Sequence, residues 1–203
     1  MEVGGNDSHK KRCASGVFNS LAIMYTDSRF GLLIDKENPY KICMRHTSDY
    51  IKRPCYEEMN TLALYLAQLN FSESLKYILN IKEETYAASA AESLATYAAI
   101  KSPKGNIEEY NRSINACKLL TGKVLTACIR GFGAGLVESG TPGQEYKEAL
   151  AFCQNRNLSE EEKRSCLHRV LFYLLDIHPK DKTVDICNTY VSEPNNQLCL
   201  KLN

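Results

Sequence analysis

Apolar side chains recur along this chain every three or four positions, and no run shows the strict alternation of a half-buried strand. The pattern predicts helices. The first covers residues 13–25, where Cys13, Val17, Leu21 and Met24 fall on one face. Pro39, suited to a first helical position, opens a short helix to residue 45. Pro54 does the same for residues 55–69, whose Met59, Leu62, Ala63, Leu66 and Leu69 make the clearest apolar stripe. Ser72 is placed to cap residues 73–80. An alanine-rich helix over 83–100 follows, with side chains small enough for neighbours to approach closely, and residues 102–105 break it.

The second half is punctuated more sharply. Asn106 with Glu109, and Ser159 with Glu162, have capping-box spacing and predict helices reaching residues 121 and 177. Ile107, Tyr110, Ile114, Cys117 and Leu120 share a face of the first. Gly122 can adopt the left-handed conformation that stops a helix, and residues 123–138 form the next. Thr141-Pro142 precedes a helix over 144–153, residues 181–190 form another after His178-Pro179, and Cys199 opens a last one. The fold expected is all-α, with about nine helices in antiparallel hairpins. It forms one repeat-like domain over residues 13–203, behind a flexible polar tail of residues 1–12.

The cysteines change the picture. Of nine, eight fall into pairs of nearly equal spacing: Cys43/Cys55, Cys117/Cys128, Cys153/Cys166 and Cys187/Cys199. Each pair brackets a predicted link between helices, and Gly122 sits at the midpoint of the second. Residues equidistant from the turn of a helical hairpin can approach to the Cα separation a disulfide requires, about 5.5–6 Å. The expected arrangement is a set of stapled hairpins, which implies an oxidising compartment outside the cytoplasm. Cys13 is left over, either free or paired outside the chain. Buried, reduced core thiols in a cytosolic protein are the alternative. Zinc-knuckle spacing and C-x-x-C are both missing, so neither a metal site nor thiol catalysis is expected.

Similar context surrounds Cys13, Cys55, Cys128, Cys166 and Cys199, and aligning Leu62-Ala63 with Leu94-Ala95 puts Ala87 in the same slot. These anchors recur on average about every 37 residues, the length of a two-helix repeat. Under that reading both ends fall mid-repeat, and the chain would be a piece of a longer protein. In form it resembles the disulfide-stapled α/α-repeat proteins of the tetratricopeptide superfamily, through cysteine spacing and repeat length across Cys13–Cys199. The resemblance implies partner binding on a concave helical surface, and no chemistry.

Charge and candidate chemistry narrow the classes further. The formal net charge of +1 provides no global field for nucleic acid, and Lys10-Lys11-Arg12 reads as a solvated terminus. No apolar run is long enough to span a bilayer, and residues 1–12 are not a signal peptide, so an exported chain would have lost its signal segment. Gly131-Phe132-Gly133-Ala134-Gly135 follows no strand and lacks a phosphate-loop ending, so it reads as a helix-packing groove. His9, His46, His168 and His178 lack partners at helical spacing. Glu57-Glu58, Glu83-Glu84 and Glu160–Glu162 read as solvated faces, and Tyr65, Tyr110 and Tyr173 as core. Asn70, Asn111 and Asn157 match the glycosylation pattern, which matters only in a secreting eukaryote. No catalytic, cofactor-binding or metal residue is assigned. The expected function is a non-enzymatic, extracytoplasmic interaction or structural module with a protein partner, part of a larger surface assembly. An intracellular helical-repeat adaptor and an all-α hydrolase using scattered carboxylates are the alternatives.

Overall fold

The computed structural model describes residues 7–102 and 105–200. Eleven α-helices account for most of them, and no strand occurs among the described residues. In chain order they are α1 (Asp7–Thr26), α2 (Asp49–Glu58), α3 (Asn60–Leu66), α4 (Phe71–Ile78), α5 (Glu84–Lys101), α6 (Ile107–Cys117), α7 (Gly122–Glu138), α8 (Tyr146–Cys153), α9 (Glu160–Ile177), α10 (Lys180–Tyr190) and α11 (Gln197–Leu200). Two 3-10 turns, Ser28–Phe30 and Lys41–Arg45, lie between α1 and α2.

The helices α1, α2, α5, α7 and α9 pack side by side as a row. Behind it, α3 and α4 cover α5, α6 and α8 cover α7, and α10 covers α9. The closest approach in the molecule is between α5 and α7. Gly131 and Gly135 make it possible: a Cβ built on Gly131 would lie 2.0 Å from the carbonyl oxygen of Glu92, and one on Gly135 would lie 2.2 Å from that of Thr96. The facing positions of α5 are equally small, with Ala91, Ala95 and Ala99 fully buried. The two backbones therefore meet directly. The Thr96 hydroxyl lies 2.9 Å from Glu92 O and 3.0 Å from Gly131 O, so its one proton is shared between the two helices.

Four disulfides each close one hairpin: Cys43–Cys55, Cys117–Cys128, Cys153–Cys166 and Cys187–Cys199. Their Cα separations of 5.4–5.7 Å lie within the ordinary range. All eight sulfurs are buried, and the pairs are those that the spacing selects. Cys13 is free and exposed on α1. Each loop is worth about 3 kcal/mol on the chain-entropy model. The third staple is also a packing element, since its two sulfurs lie against the bare backbone of Gly133.

Three of the expected punctuation signals hold. Ser159 and Glu162 form a reciprocal capping box, Asn106 caps α6, and Gly122 has a φ of 55° at the turn into α7. Several boundaries differ. The helix α1 begins at Asp7, so residues 7–12 are not a tail, while residues 1–6 lie outside the described residues. Its buried face is Phe18 and Ala22 with Ala14, Leu21 and Tyr25 packed alongside, one position later than expected, and Val17 is exposed. The rotation buries Phe18 and packs Tyr25 against the core in place of Cys13 and Val17, which carries more apolar area.

Pro54 lies inside α2, which starts at Asp49, and Pro39 precedes a 3-10 turn rather than an α-helix. The stripe expected over residues 55–69 is split at Met59 between α2 and α3, and it ends at Gln68 and Leu69, both with positive φ, leaving Leu69 exposed. Asn70, not Ser72, caps α4, accepting from the Glu73 amide. Ile107 is exposed in the first turn of α6, and Tyr65 is exposed on α3. Part of the break at 102–105 and the end of the last helix lie outside the described residues.

Buried tyrosines record how dry the core is. Tyr40 and Tyr56 are buried and form a continuous stack with the half-buried Tyr86, with ring centroids 5.7 and 5.3 Å apart. Burial drives the Tyr40 phenol far above its usual range, and burial followed by the Glu83 charge pushes Tyr56 up to about 12. Burial, then a hydrogen bond donated to Glu148, raises Tyr110 as well.

Two outcomes follow. Gly131→Ala should lose about 3 kcal/mol or more of stability in urea unfolding, because neither backbone can retreat. Gly16→Ala, on the exposed side of α1 with nothing within 4 Å, should gain up to about 1 kcal/mol. Equal effects at the two sites would refute direct backbone packing. In alkali, the unfolded chain releases tyrosine protons near pH about 10 while the folded chain retains them, so stability should fall from there towards the folded Tyr56 value. Tyr56→Phe should flatten that decline, and an unchanged slope would count against the buried phenol.

Candidate functional site

Four successive helices of the row, α2, α5, α7 and α9, leave one face uncovered, and together they line an open groove of about 1200 Å³. Positions two before and two after each anchor residue point into it: Arg53 and Glu57 from α2, Thr85 and Ser89 from α5, Thr126 and Arg130 from α7. In α9 the pattern is not kept, and Arg169 and Tyr173, three and seven residues after Cys166, face the groove. The floor is low because α5 contributes only small side chains there, Ala88, Ser89, Ser93 and Thr96, around a single carboxylate.

That carboxylate is Glu92, and it ties three helices together. One oxygen lies 2.6 Å from Arg130 Nη2 of α7, the other 3.0 Å from Arg169 Nε of α9. The Arg169 guanidinium also stands 5.7 Å from the Tyr173 ring centroid, a cation–π distance. On the other side of α5, Ser93 donates to the Glu57 carbonyl at 2.6 Å, and Asn60 donates to Ser93 at 2.6 Å. Arg53 reaches Ser89 at 3.1 Å. Polar side chains thus bridge α2 to α5, and α5 to both α7 and α9.

The rims are acidic. Glu57 and Glu58 stand on α2, Glu161 and Glu162 in the first turn of α9, and Glu84 in the first turn of α5. The lining holds seven glutamates against four basic side chains, on a chain whose formal net charge is +1. Glu58 is half-buried, and burial raises its carboxyl above the usual range, with the Glu57 charge adding to that and a hydrogen bond from Ser15 opposing it. Lys11 of α1 lies 3.6 Å from Glu57, so one member of the basic cluster near the N-terminus pairs with this rim, while all three of its side chains stay exposed.

The other candidates separate. His46 packs edge-on to Phe18, and His168 lies against Phe172. His178, at the C-terminal end of α9, meets Glu145, at the N-terminal end of α8, at 3.2 Å, a partner remote in sequence. Tyr110 is core, while Tyr173 is half-buried in the groove. Asn111 accepts from both Asn155 and Asn157, so two of the three glycosylation-pattern asparagines are engaged with each other, whereas Asn70 is an exposed cap. Among the described residues no group of three or more His, Cys, Asp or Glu side chains could hold a metal ion. No helix among them is long and apolar enough to cross a membrane.

Sequence reasoning treated the acidic pairs one at a time and did not bring them together. The signal was present in the anchor alignment, since the positions flanking Cys55, Ala87 and Cys128 by two residues share the groove. No family model matches this chain, and no curated protein or solved structure matches it either.

Glu92→Gln should cost about 1–2 kcal/mol in urea unfolding, because two partly exposed guanidiniums would then face each other without a carboxylate. Glu161→Gln, at an exposed rim position, should stay within about 0.5 kcal/mol of the parent. If Glu92→Gln were equally silent, the central ion triad would not hold the groove together.

Proposed function

We propose that this chain is a non-enzymatic interaction module of an oxidising, extracytoplasmic compartment, a disulfide-rigidified helical array that binds a protein partner in the α2–α5–α7–α9 groove. The observation that carries the reading is the pairing of four fully buried disulfides with a broad polar groove. Disulfides of this kind persist where the glutathione and thioredoxin systems do not act. The groove exceeds the usual 300–1,000 Å³ of small-molecule pockets, and its lining is more polar than theirs. A polar, open surface of this size suits a protein segment better than a compact ligand. Its central carboxylate is held by two guanidiniums, an arrangement that rigidifies and does not favour proton transfer. The row of hairpins is read as a degenerate α/α repeat of tetratricopeptide-like form, in which successive anchors place successive helices along one binding face.

The test is a thiol count. Protein recovered from its own compartment under an alkylating quench, then denatured without reductant, should take up one label, at Cys13. Peptide mapping should recover the four hairpin bridges intact. Labelling of all nine cysteines would sink the stapled, extracytoplasmic reading and favour an intracellular adaptor.

A further inference from the structure

We propose that the groove seats an extended protein segment carrying lysine or arginine side chains, whose cations bridge the acidic rims on α2 and α9. The inference rests on the reading of the chain as a partner-binding module and names the chemistry of the partner.

Three observations lead to it. The first is charge segregation. The groove concentrates a local excess of three negative charges, while the chain as a whole is slightly positive. The basic side chains inside it are already engaged: Arg130 and Arg169 on Glu92, Arg53 on Asp49 and Ser89, and Lys123 near Glu84 at 3.8 Å. At the rims Glu57 and Glu84 have single, loosely held lysine partners, and the other carboxylates have no cation among the described residues: Glu58 accepts from a serine, Glu162 turns inward on its own helix cap, and Glu161 is exposed beside it. An incoming cation therefore meets uncompensated carboxylates, whereas an incoming anion meets arginines that already have a partner.

The second is a cation on the rim within the molecule itself. Lys11 reaches over from α1 to Glu57, 3.6 Å away, with both side chains still partly exposed. The rim thus accepts an ammonium group, and loosely enough for another to replace it. The third is shape. The row from α2 to α9 comprises three interhelical steps of about 8–10 Å, setting the rims about 25–30 Å apart. An extended chain covers that span in about eight residues. Between the rims the floor offers small hydroxyl side chains, Thr85, Ser89 and Thr126, which leave room for a main chain and can hydrogen-bond to it.

The experiment uses the oxidised full chain and three fluorescent peptides that alternate serine with lysine, with glutamate or with alanine, read by anisotropy. The lysine peptide should bind at least tenfold more tightly than the other two. Its affinity should fall as added salt contracts the Debye length from about 30 to about 8 Å. Glu57→Gln with Glu161→Gln should weaken binding by about 5- to 10-fold, while Glu193→Gln, outside the groove, should leave it unchanged. Unfolding curves confirm that the variants remain folded.

Equal binding of all three peptides would overturn the charge-based inference while leaving a peptide-binding groove. Lysine-peptide binding that ignores the rim variants would overturn its location. No binding by any peptide, with only Cys13 labelled in the thiol count, would remove the basic segment while the stapled module stands.

Discussion

Everything in this molecule is arranged around two helix backbones in direct contact. Where Gly131 and Gly135 pass Glu92 and Thr96, no side chain separates α5 from α7. That approach fixes the spacing of the row, and the outer helices fit around it. Small residues at such a crossing bring little hydrophobic area of their own. What they provide is proximity, which places the larger side chains on either side, Leu94, Phe132 and Leu136 among them, into a fully buried core. The same proximity lowers the groove floor on the opposite face. The groove and the core are therefore two consequences of one choice of residue type.

The disulfides act at a different level. Each joins neighbours along the chain and closes one hairpin, and none links one hairpin to the next. Cohesion between hairpins comes from backbone proximity at α5–α7, from the ion triad at Glu92, and from the hydroxyl bridges at Ser93 and Thr96. The covalent and noncovalent devices thus divide the structure between them. Staples hold the units, and packing and polar bridges hold the array. The hairpin α4–α5 has Ala87 where its neighbours have cysteine, and it is held in the row by its packing against α2 and α7.

What the sequence revealed follows the same division. Features decided within a hairpin were legible: the cysteine pairs, the capping box of Ser159 and Glu162, the turn at Gly122. Even the close approach at Gly131 and Gly135 could be read, because two glycines at helical spacing have few other uses. Features decided between hairpins were not. Whether Phe18 or Val17 faces inward depends on α2 and α3, not on α1 alone. Pro54 looks like a helix start by local rules, yet burial of Cys55 and Tyr56 holds α2 together around it. The partners of Glu92 lie on the next two long helices, and no local pattern announces them. The acidic rims show this most plainly, since each pair in isolation is an ordinary solvated first turn.

Because every staple is local, the covalent skeleton is a string of small closed loops joined by single strands, with no loop threaded through another. Such a skeleton can be drawn out from its ends only so far. Tension that pulls the row apart lengthens the segments between loops, while the stretch inside each loop stays gathered and keeps its two helix ends together. When the load is released, each hairpin still has its partners at hand, and only the docking of one unit on the next has to be found again. A protein built this way behaves less like a folded sheet of paper than like a chain of links: slack between its members, and fixed within each.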